Sequence, residues 1–449
     1  MIGDAIARYH DLLQRDGLAA DSQEQLDRLT KLRGMYFGDR PVCTVLRPRF
    51  LSSDQFRFLV SRVQTLLPAF QKVYRRAMAD AAFRRQFGLL DWEEELLRID
   101  PGFDEPSPTA RFDSFFVSEQ ELKFTEYNAE TPAGTGYQDA LTEMFFGLPV
   151  MQEFLRRYQV RPLPAKPGVL HALLESYRQF CGRRERPRVA ILDWKEVPTY
   201  SEFRLYDEYL RAQGLESKII DVREVEYSGG KLRHGDYVID LIYKRVLVSE
   251  LYERGGMDHP IIRALRDRAV CMVNSFRCKI LYKKASFAVL SDEVNAGLFT
   301  TAELSAIRDH IPWTRRVEER KTQFGGKMVD LVPHMLSNRD RLVLKPNDDY
   351  GGKGIVLGWT VDGSAWEAAV RKALTEPHVV QERVNLPTEP FPSMEGGRLH
   401  VIDRMLDTNP FVCFGSTVDG CLTRVSTEAL LNVTAGGGST APTFLLEER

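Results

Sequence analysis

A glycine-rich loop between two strand-like segments constrains the fold of this chain more than any other feature. Residues 341–345 and 355–359 are short and apolar, as buried strands are. Lys345 ends the first segment, and the loop contains Gly351, Gly352, Lys353 and Gly354. Glycines let a backbone approach an oligophosphate closely, and lysines supply positive charge. The Walker A pattern G-x-x-x-x-G-K-[ST] is absent and a strand follows the loop, so the alternative is a plain hairpin with solvated lysines.

The composition is that of an ordinary globular protein. The length of 449 residues predicts about three domains or lobes. Hydrophobic residues make up 43% of the chain and charged residues 28%, which excludes a wholly disordered chain. The formal net charge of −2 gives no support to a nucleic-acid or anionic-membrane partner. The six cysteines form no C-x-x-C pair, which argues against a zinc ribbon and indicates a reducing compartment. No secretory signal or apolar run of about 18 residues is evident, so we expect a cytoplasmic protein.

A second signal is a predicted hairpin of residues 111–117 and 123–128, which alternate polar and apolar side chains. Glu126 and Asn128 are two residues apart, so their oxygens lie on one face of the strand. Asp113 on the neighbouring strand can add a third oxygen. Oxygen ligands suit Mg²⁺, which also binds nucleotide phosphates. The alternative is a polar stripe that faces solvent.

A third signal lies near the C-terminus, where Arg424 precedes a flexible segment. The segment contains Asn432, Gly436, Gly437, Gly438 and Ser439. An arginine before such a loop can hold a carboxylate or phosphoryl oxygen. The alternative is a disordered tail, but the apolar residues 444–446 indicate that the chain docks again.

The remaining pattern predicts an α/β fold. Strands at 188–193, 217–221 and 238–243, with a helix at 201–213, indicate a parallel sheet. Further strands are expected at 378–384, 399–405 and 411–415. The first ~95 residues have helical periodicity and are interpreted as a cap or substrate-side wall.

Together these features resemble the circularly permuted ATP-grasp group, which includes eukaryotic-type glutathione synthetase and glutathionylspermidine synthetase. Lys345-Pro346, Asp349, residues 351–354 and the strand at 379–384 are similar to the nucleotide-binding half of such enzymes. Arg111-x-Asp113 and Glu126-x-Asn128 lie upstream of that half instead of after it, which is the mark of the permuted group. Residues 126–132 are especially like glutathionylspermidine synthetase, whereas residues 409–438 are more like uncharacterised bacterial members. The resemblance extends from about residue 109 to the C-terminus.

The resemblance implies a role for each motif residue. Phosphates of ATP would be held by Lys345 and Lys284 with the loop Gly351, Gly352, Lys353 and Gly354. Adenine would be received by Gln381, Glu382 and Val384. Two Mg²⁺ ions are expected, and they would be shared by Asp113, Glu126, Asn128 and Asp349, with Asp348 as a substitute for Asp349. Arg111 and Arg424 would face the reacting carboxylate and phosphoryl group, and the 436–439 loop would close over the substrate.

The resemblance implies a permuted ATP-grasp core made of metal-binding strands (101–185) and a nucleotide-binding and catalytic-loop region (281–449). With the helical region (1–100) and the α/β domain (186–280) that the sequence pattern predicts, we expect four parts. The implied activity is ATP-dependent ligation of a small-molecule or peptide carboxylate to an amine through an acyl phosphate, with release of ADP. Two alternatives stay open: a catalytically silent ATP-binding protein and a phosphotransferase. A metal hydrolase is disfavoured because the eight histidines are scattered without an H-E-x-x-H motif.

Overall fold

The computed structural model describes residues 2–183, 185–349, 351–429, 431 and 438–447. It has the mixed α/β architecture that the sequence predicts, with three main sheets flanked by helices. The α-helices are Ile2–Leu13, Leu18–Arg33, Ser53–Ala79, Ala81–Arg84, Asp91–Leu96, Thr135–Phe146, Pro149–Leu155, Lys166–Cys181, Tyr200–Ala212, Val248–Gly255, Pro260–Arg266, Lys279–Tyr282, Ala285–Ser291, Thr301–His310, Leu331–Ser337 and Gly363–Thr375. Within the described ranges, none of these helices is long and apolar enough to cross a membrane.

The largest sheet takes its strands from distant parts of the chain. Its main path consists, in spatial order, of Thr388–Glu395, Arg398–Leu406, Thr417–Ser426, Asn409–Cys413, Thr109–Ser118 and Glu121–Asn128. A branch adds Ser439–Glu447, Arg49–Ser52 and Gln159–Pro162. Strands from both the 101–185 and the 281–449 regions therefore belong to one sheet.

The predicted hairpin at the edge of this sheet is confirmed, and its inner face is anchored in the core. Phe112 and Tyr127 stack with their ring centroids 4.2 Å apart. Phe70 of the long helix Ser53–Ala79 packs against both rings, at 5.3 and 4.9 Å. Aromatic burial of this kind fixes the hairpin against the helix.

The outer face of the 109–128 hairpin carries polar side chains, because successive residues on a strand point to opposite sides. The strand register pairs Asp113 with Glu126 and Arg111 with Asn128. The same-face arrangement predicted for Glu126 and Asn128, with Asp113 on the paired strand, is therefore present.

The second sheet is the predicted parallel sheet. Its strands are, in spatial order, Cys271–Val273, Leu241–Lys244, Val189–Asp193 and Ser217–Asp221, and all neighbours are parallel. The predicted strand at 238–243 is wrong as a single element, since the strand is interrupted at Ile239 and Asp240. There the Asp240 carboxylate accepts hydrogen bonds from the Arg188 backbone and guanidinium, at 2.8 to 2.9 Å. The preceding residues instead join a small sheet of Glu226–Ser228, Lys231–His234 and Tyr237–Val238.

The third sheet is antiparallel and contains the strands on either side of the glycine loop. Its order is Thr314–Arg316, His378–Glu382, Leu342–Pro346 and Val356–Leu357. The predicted strand at 355–359 is shorter than expected because Gly358 begins a 3-10 turn. A Cβ atom at Gly358 would lie 2.0 Å from the Arg339 carbonyl oxygen, so the turn packs directly on backbone. The remaining strands form two hairpins, Tyr36–Phe37 with Arg40–Pro41 and Lys321–Phe324 with Lys327–Asp330.

A strand of the N-terminal region and a strand of the C-terminal region pair in the largest sheet. The N-terminal region is helical as predicted, but it also contributes the strand Arg49–Ser52, which the helical interpretation missed. This strand pairs in parallel with Ser439–Glu447. Phe444, Leu445 and Leu446 are almost fully buried there, which confirms that the apolar C-terminal segment docks on the body.

Candidate functional site

A cleft of about 710 Å³ separates the 109–128 hairpin from the antiparallel sheet, and we call it the large cleft. Residues from both sheets and from the glycine loop line it. The predicted site residues that it brings together are Arg111, Asp113, Glu126, Asn128, Lys345, Gly351, Gly352, Gln381, Glu382, Val384 and Arg424. These residues are separated by up to about 300 positions in sequence, as Arg111 and Arg424 illustrate.

Lys345 extends from the antiparallel sheet into this cleft, and neighbouring side chains fix its ammonium group. Its Nζ donates to Gln381 Oε1 at 2.7 Å and to the Thr125 carbonyl at 3.3 Å. Gln381 in turn donates to Thr314 Oγ1 at 3.0 Å, so its amide is locked. Gln381, which the resemblance assigns to adenine, therefore contacts the lysine in this structure.

Lys284 lies directly before the helix Ala285–Ser291, close to the hairpin face that carries Glu126. Its Nζ donates to the Asp349 carbonyl at 2.6 Å and lies 3.4 Å from Glu126 Oε1. The second predicted lysine thus links the glycine loop to the hairpin.

The glycine loop is divided between two cavities. Gly351 and Gly352 have φ angles of 65° and 76°, which favour glycine, and they line the large cleft. Lys353, Gly354 and Asp349 instead line a second cavity of about 650 Å³, the rear cavity. The structure therefore does not bring Lys353 and Asp349 into the same cavity as Lys345.

Asp348, the suggested substitute for Asp349, is held by a buried ionic cluster. Its oxygens accept from Lys279 Nζ at 2.5 Å and Lys283 Nζ at 2.7 Å. Burial alone would raise the pKa of Asp348, but the two lysines bring it below its usual value. Glu93 lies 2.8 Å from Lys283, and Glu130 accepts from Lys279 at 3.3 Å. These contacts anchor the base of the glycine loop, and they occupy the carboxylate that was suggested as a substitute for Asp349.

The Asp113 carboxylate is also paired already, because it accepts hydrogen bonds from both predicted arginines. Arg111 donates to its two oxygens at 2.6 and 3.1 Å, and Arg424 donates to Oδ2 at 2.7 Å. Burial opposes ionisation of Asp113, but the two guanidinium groups lower its pKa to about 2. In this structure the Asp113 carboxylate orients arginines, whereas the resemblance assigns it to metal.

The sequence reasoning missed Asp407, which fixes Arg424 from the other side. Its Oδ2 accepts from Arg424 Nε at 2.6 Å, and its Oδ1 accepts from the Arg424 backbone N–H at 2.7 Å. Asp407 lies in a short connection between strands and belongs to no motif, so no sequence signal marked it.

Two further residues of the large cleft were missed. The Arg383 guanidinium lies over the Trp359 ring, 4.1 Å from its centroid, and both line the cleft beside Glu382 and Val384. Such a flat cationic and aromatic pair is suited to stacking on a planar group. In the sequence, the only sign of this pair was the tryptophan at the end of the predicted strand 355–359.

Of the predicted metal ligands that line the large cleft, Glu126 and Asn128 are not held by any arginine that the structure describes. Within the described residues, Asn128 Nδ2 is buried without a hydrogen-bond partner, so its amide has an unsatisfied position. The described part of the chain contains no cluster of three or more His, Cys, Asp and Glu side chains that could hold a metal ion alone. An ion bound here would need phosphate or water oxygens to complete its ligands.

A third cavity of about 290 Å³, the side cavity, adjoins the large cleft. The two share Arg111, Asn128, Gly351 and Arg424 in their walls. The paired arginines therefore stand at the boundary between the two cavities.

Most of the predicted closing loop, including Asn432, Gly436 and Gly437, lies outside the described residues. Ser439 does not belong to a loop, since it begins the strand Ser439–Glu447 and is fully buried. Its Oγ accepts from the Thr44 backbone N–H at 2.9 Å. Only Gly438 of the predicted glycines is described, directly before that strand.

Comparison with known sequences gives two curated relatives from Frankia. A provisionally named glutamate–cysteine ligase 2-2 of Frankia casuarinae is 26% identical over 329 residues, covering 70% of this chain and 36% of the relative. A provisionally named glutamate–cysteine ligase 2-3 of Frankia alni is 28% identical over 213 residues, covering 45% of this chain and 23% of the relative. The chain thus spans about a third or less of the length of the relatives it matches.

Comparison with solved structures gives the same fold. A glutathione synthetase-like effector from Globodera pallida, in its apo form, superposes with a TM-score of 0.60 at 12% identity, covering 97% of this chain and 99% of the effector. A family profile described as circularly permuted ATP-grasp type 2 matches residues 91–426. Since that match includes the hairpin, the parallel sheet, the glycine loop and Arg424, the chain belongs to the circularly permuted ATP-grasp type 2 family.

Proposed function

We propose that the chain is an ATP-dependent, Mg²⁺-requiring ligase that joins a carboxylate to an amine through an acyl phosphate and releases ADP. One observation carries the proposal: Arg111 and Arg424, held together by Asp113, line both the large cleft and the side cavity. A phosphoryl donor in one cavity and a carboxylate in the other would meet at these guanidinium groups. The ligase names of the two Frankia relatives support the same class of reaction.

In this proposal the nucleotide occupies the large cleft. Lys345 neutralises phosphate charge, and Gly351 and Gly352, which line the cleft without side chains, allow close approach of the phosphates. The base lies at the far end, against Trp359 and Arg383. The volume of about 710 Å³ is sufficient for a bound nucleotide.

Glu126 and Asn128 would hold Mg²⁺ through their side-chain oxygens together with phosphate oxygens, which agrees with the position of both residues on one strand face. The buried Asn128 Nδ2, which has no hydrogen-bond partner among the described residues, is a donor and would bond a phosphate oxygen. When bound, Mg²⁺ neutralises charge on the phosphate oxygens and assists phosphoryl transfer. The binding of a second ion, with Asp349 as one of its ligands, stays a prediction.

The protein's own groups then act by position and charge. Arg111 and Arg424 donate hydrogen bonds to the phosphoryl group as negative charge develops on it, and Asp113 keeps both guanidinium planes fixed. The carboxylate oxygen attacks the γ-phosphorus and ADP leaves. The amine then attacks the acyl carbon, and the C–O bond to phosphate breaks. No protein nucleophile is needed in this sequence.

The test is a screen with hydroxylamine as a general amine. Each proteinogenic amino acid is offered as the carboxylate with Mg·ATP, beginning with L-glutamate because of the relatives' names. The proposal predicts ADP together with a hydroxamate. ADP and phosphate without hydroxamate would indicate a phosphotransferase or hydrolase, and nucleotide binding without ADP would indicate a silent ATP-binding protein.

We expect ATP affinity to depend on pH through Lys345. Burial lowers the pKa of Lys345 to about 8, with Lys284 contributing, although Glu126 and Asp113 oppose the shift. Bound phosphate will raise this pKa, so binding takes up a proton only above about pH 8. Affinity should be constant below that value and fall by up to about tenfold per pH unit above it. Calorimetry should show this slope in the wild type and not in Lys345→Arg, which stays charged; a flat wild-type profile would contradict the role of Lys345.

We also expect Glu126→Gln to raise the Mg²⁺ concentration for half-maximal turnover by about tenfold or more, because it removes an anionic ligand. Glu119→Gln, in the exposed turn of the same hairpin, is the matched control and should leave the requirement unchanged. Equal Mg²⁺ requirements in wild type and Glu126→Gln would exclude Glu126 as a metal ligand.

A further inference from the structure

Asp193 is an acidic residue of the side cavity that no motif indicated. It ends the strand Val189–Asp193, at the carboxyl edge of the parallel sheet, where ligands of α/β sheets commonly bind. Its side chain is 7% exposed and lines the side cavity but not the large cleft. The residue is therefore placed in the wall beyond the arginines that the two cavities share.

One oxygen of Asp193 is left for a ligand. Oδ1 accepts from the Trp194 backbone N–H at 2.8 Å. Across the described residues, Oδ2 has no hydrogen bond and Asp193 forms no ion pair. A buried carboxylate without a cationic partner is costly, and a cationic ligand removes that cost.

Arg245 and Lys244 lie close enough to favour the ionised form of Asp193, but among the described residues neither forms an ion pair with it. Arg245, which also lines the cavity, lies 3.7 Å from Glu202 and donates to the Pro132 carbonyl at 2.7 Å. Glu250 lines the cavity too, and its Oε2 accepts from the Trp194 indole at 3.0 Å. Trp194 thus ties two carboxylates to one wall of the side cavity.

The pKa of Asp193 agrees with this arrangement. Burial raises the pKa to about 7, and the charge of Glu250 adds to the shift, while Arg245 and Lys244 oppose it. A bound ammonium group would favour the ionised form of Asp193.

We propose that the side cavity binds the carboxylate substrate as a small zwitterionic amino acid, with its carboxylate at Arg111 and Arg424 and its ammonium at Asp193 and Glu250. The inference rests on the proposed function and specifies its substrate class. The cavity volume of about 290 Å³ lies at the lower end of ligand pockets and suits a molecule of this size. Tyr137, Val197 and Leu422 also line the cavity and give it an apolar and aromatic surface that suits a side chain.

The experiment measures the melting temperature of the full chain with Mg²⁺ and a non-hydrolysable ATP analogue. Two additions are compared: an equimolar mixture of the proteinogenic L-amino acids, about 1 mM each, and the corresponding carboxylic acids without the α-amino group. We expect the amino-acid mixture to raise the melting temperature by about 2–5 °C and the second mixture to have little effect.

Two substitutions locate the effect. Asp193→Asn retains the oxygen that accepts from Trp194 but removes the charge, so the amino-acid shift should disappear. Glu250→Gln should reduce it as well, and it serves as the second test if Asp193→Asn does not fold. Glu253→Gln, on the same helix but lining only the rear cavity, is the control and should keep the full shift.

The outcomes separate this inference from the proposed function. If the analogue stabilises the chain but the amino acids add nothing, or add no more than the second mixture, the zwitterion site is refuted and nucleotide binding stands. A full shift in both Asp193→Asn and Glu250→Gln would refute it too. If the analogue itself fails to raise the melting temperature, the proposed function fails first.

Discussion

Replacing Lys345 by methionine will lower the affinity for Mg·ATP by roughly 30- to 1,000-fold, equivalent to about 2–4 kcal/mol. The ammonium group is fixed in the large cleft by Gln381 and the Thr125 carbonyl, so it is preorganised to meet phosphate. Methionine has a similar length without the charge. Isothermal titration calorimetry gives the affinity directly, and the melting temperature shows that the variant is folded.

Lys353→Met is the matched control, since Lys353 belongs to the same loop but lines the rear cavity. We expect its affinity for Mg·ATP to stay within about fivefold of wild type. If Lys353→Met lost nucleotide binding and Lys345→Met kept it, the phosphates would have to lie on the rear-cavity side of the loop.

Replacing Arg424 by lysine will lower turnover by about 10²- to 10³-fold with little change in nucleotide affinity. Arg424 reaches Asp113 and Asp407 through different nitrogens of one planar guanidinium group, and the single nitrogen of an ammonium group does not reproduce this fixed geometry. The charge is retained, so the buried aspartates are not left unpaired and the fold should survive. Steady-state kinetics with the substrates found by the hydroxylamine screen gives kcat, and calorimetry gives the nucleotide affinity.

Arg404→Lys provides the comparison for this substitution. Arg404 is buried in the neighbouring strand and donates to Ser393, outside the walls of the large cleft. Turnover should remain near wild type in Arg404→Lys. Equal losses in the two variants would indicate a general effect on the sheet and would remove Arg424 from the reaction centre.

Local sequence patterns predicted the hairpin and its face because alternation and register are properties of short segments. Asp113, Glu126 and Asn128 lie within two paired strands, so alternation and spacing placed them together, whereas the family resemblance indicated Arg111. The glycine loop was recognised for the same reason. Its division between two cavities was not, because that depends on how the Lys279 and Lys283 contacts hold Asp348.

Residues that matter through distant contacts had no local signal. Asp113 and Arg424 are 311 positions apart, and no local pattern indicated that the carboxylate of Asp113 pairs with Arg424. Asp407 and Asp193 acquire their significance only from the arginine and the cavity that the fold brings to them. The family resemblance located the motif residues, but the side cavity is formed by residues outside those motifs.

The central claim, transfer of a phosphoryl group to a carboxylate, is tested most directly by isotope transfer. The carboxylate identified in the screen is labelled with ¹⁸O, and the inorganic phosphate released during amine-dependent turnover is analysed by mass spectrometry. An acyl phosphate places one carboxylate oxygen in each phosphate, so we predict one ¹⁸O atom per phosphate formed. Phosphate without ¹⁸O, at an equal rate of ADP formation, would show that the carboxylate is never phosphorylated and would contradict the account.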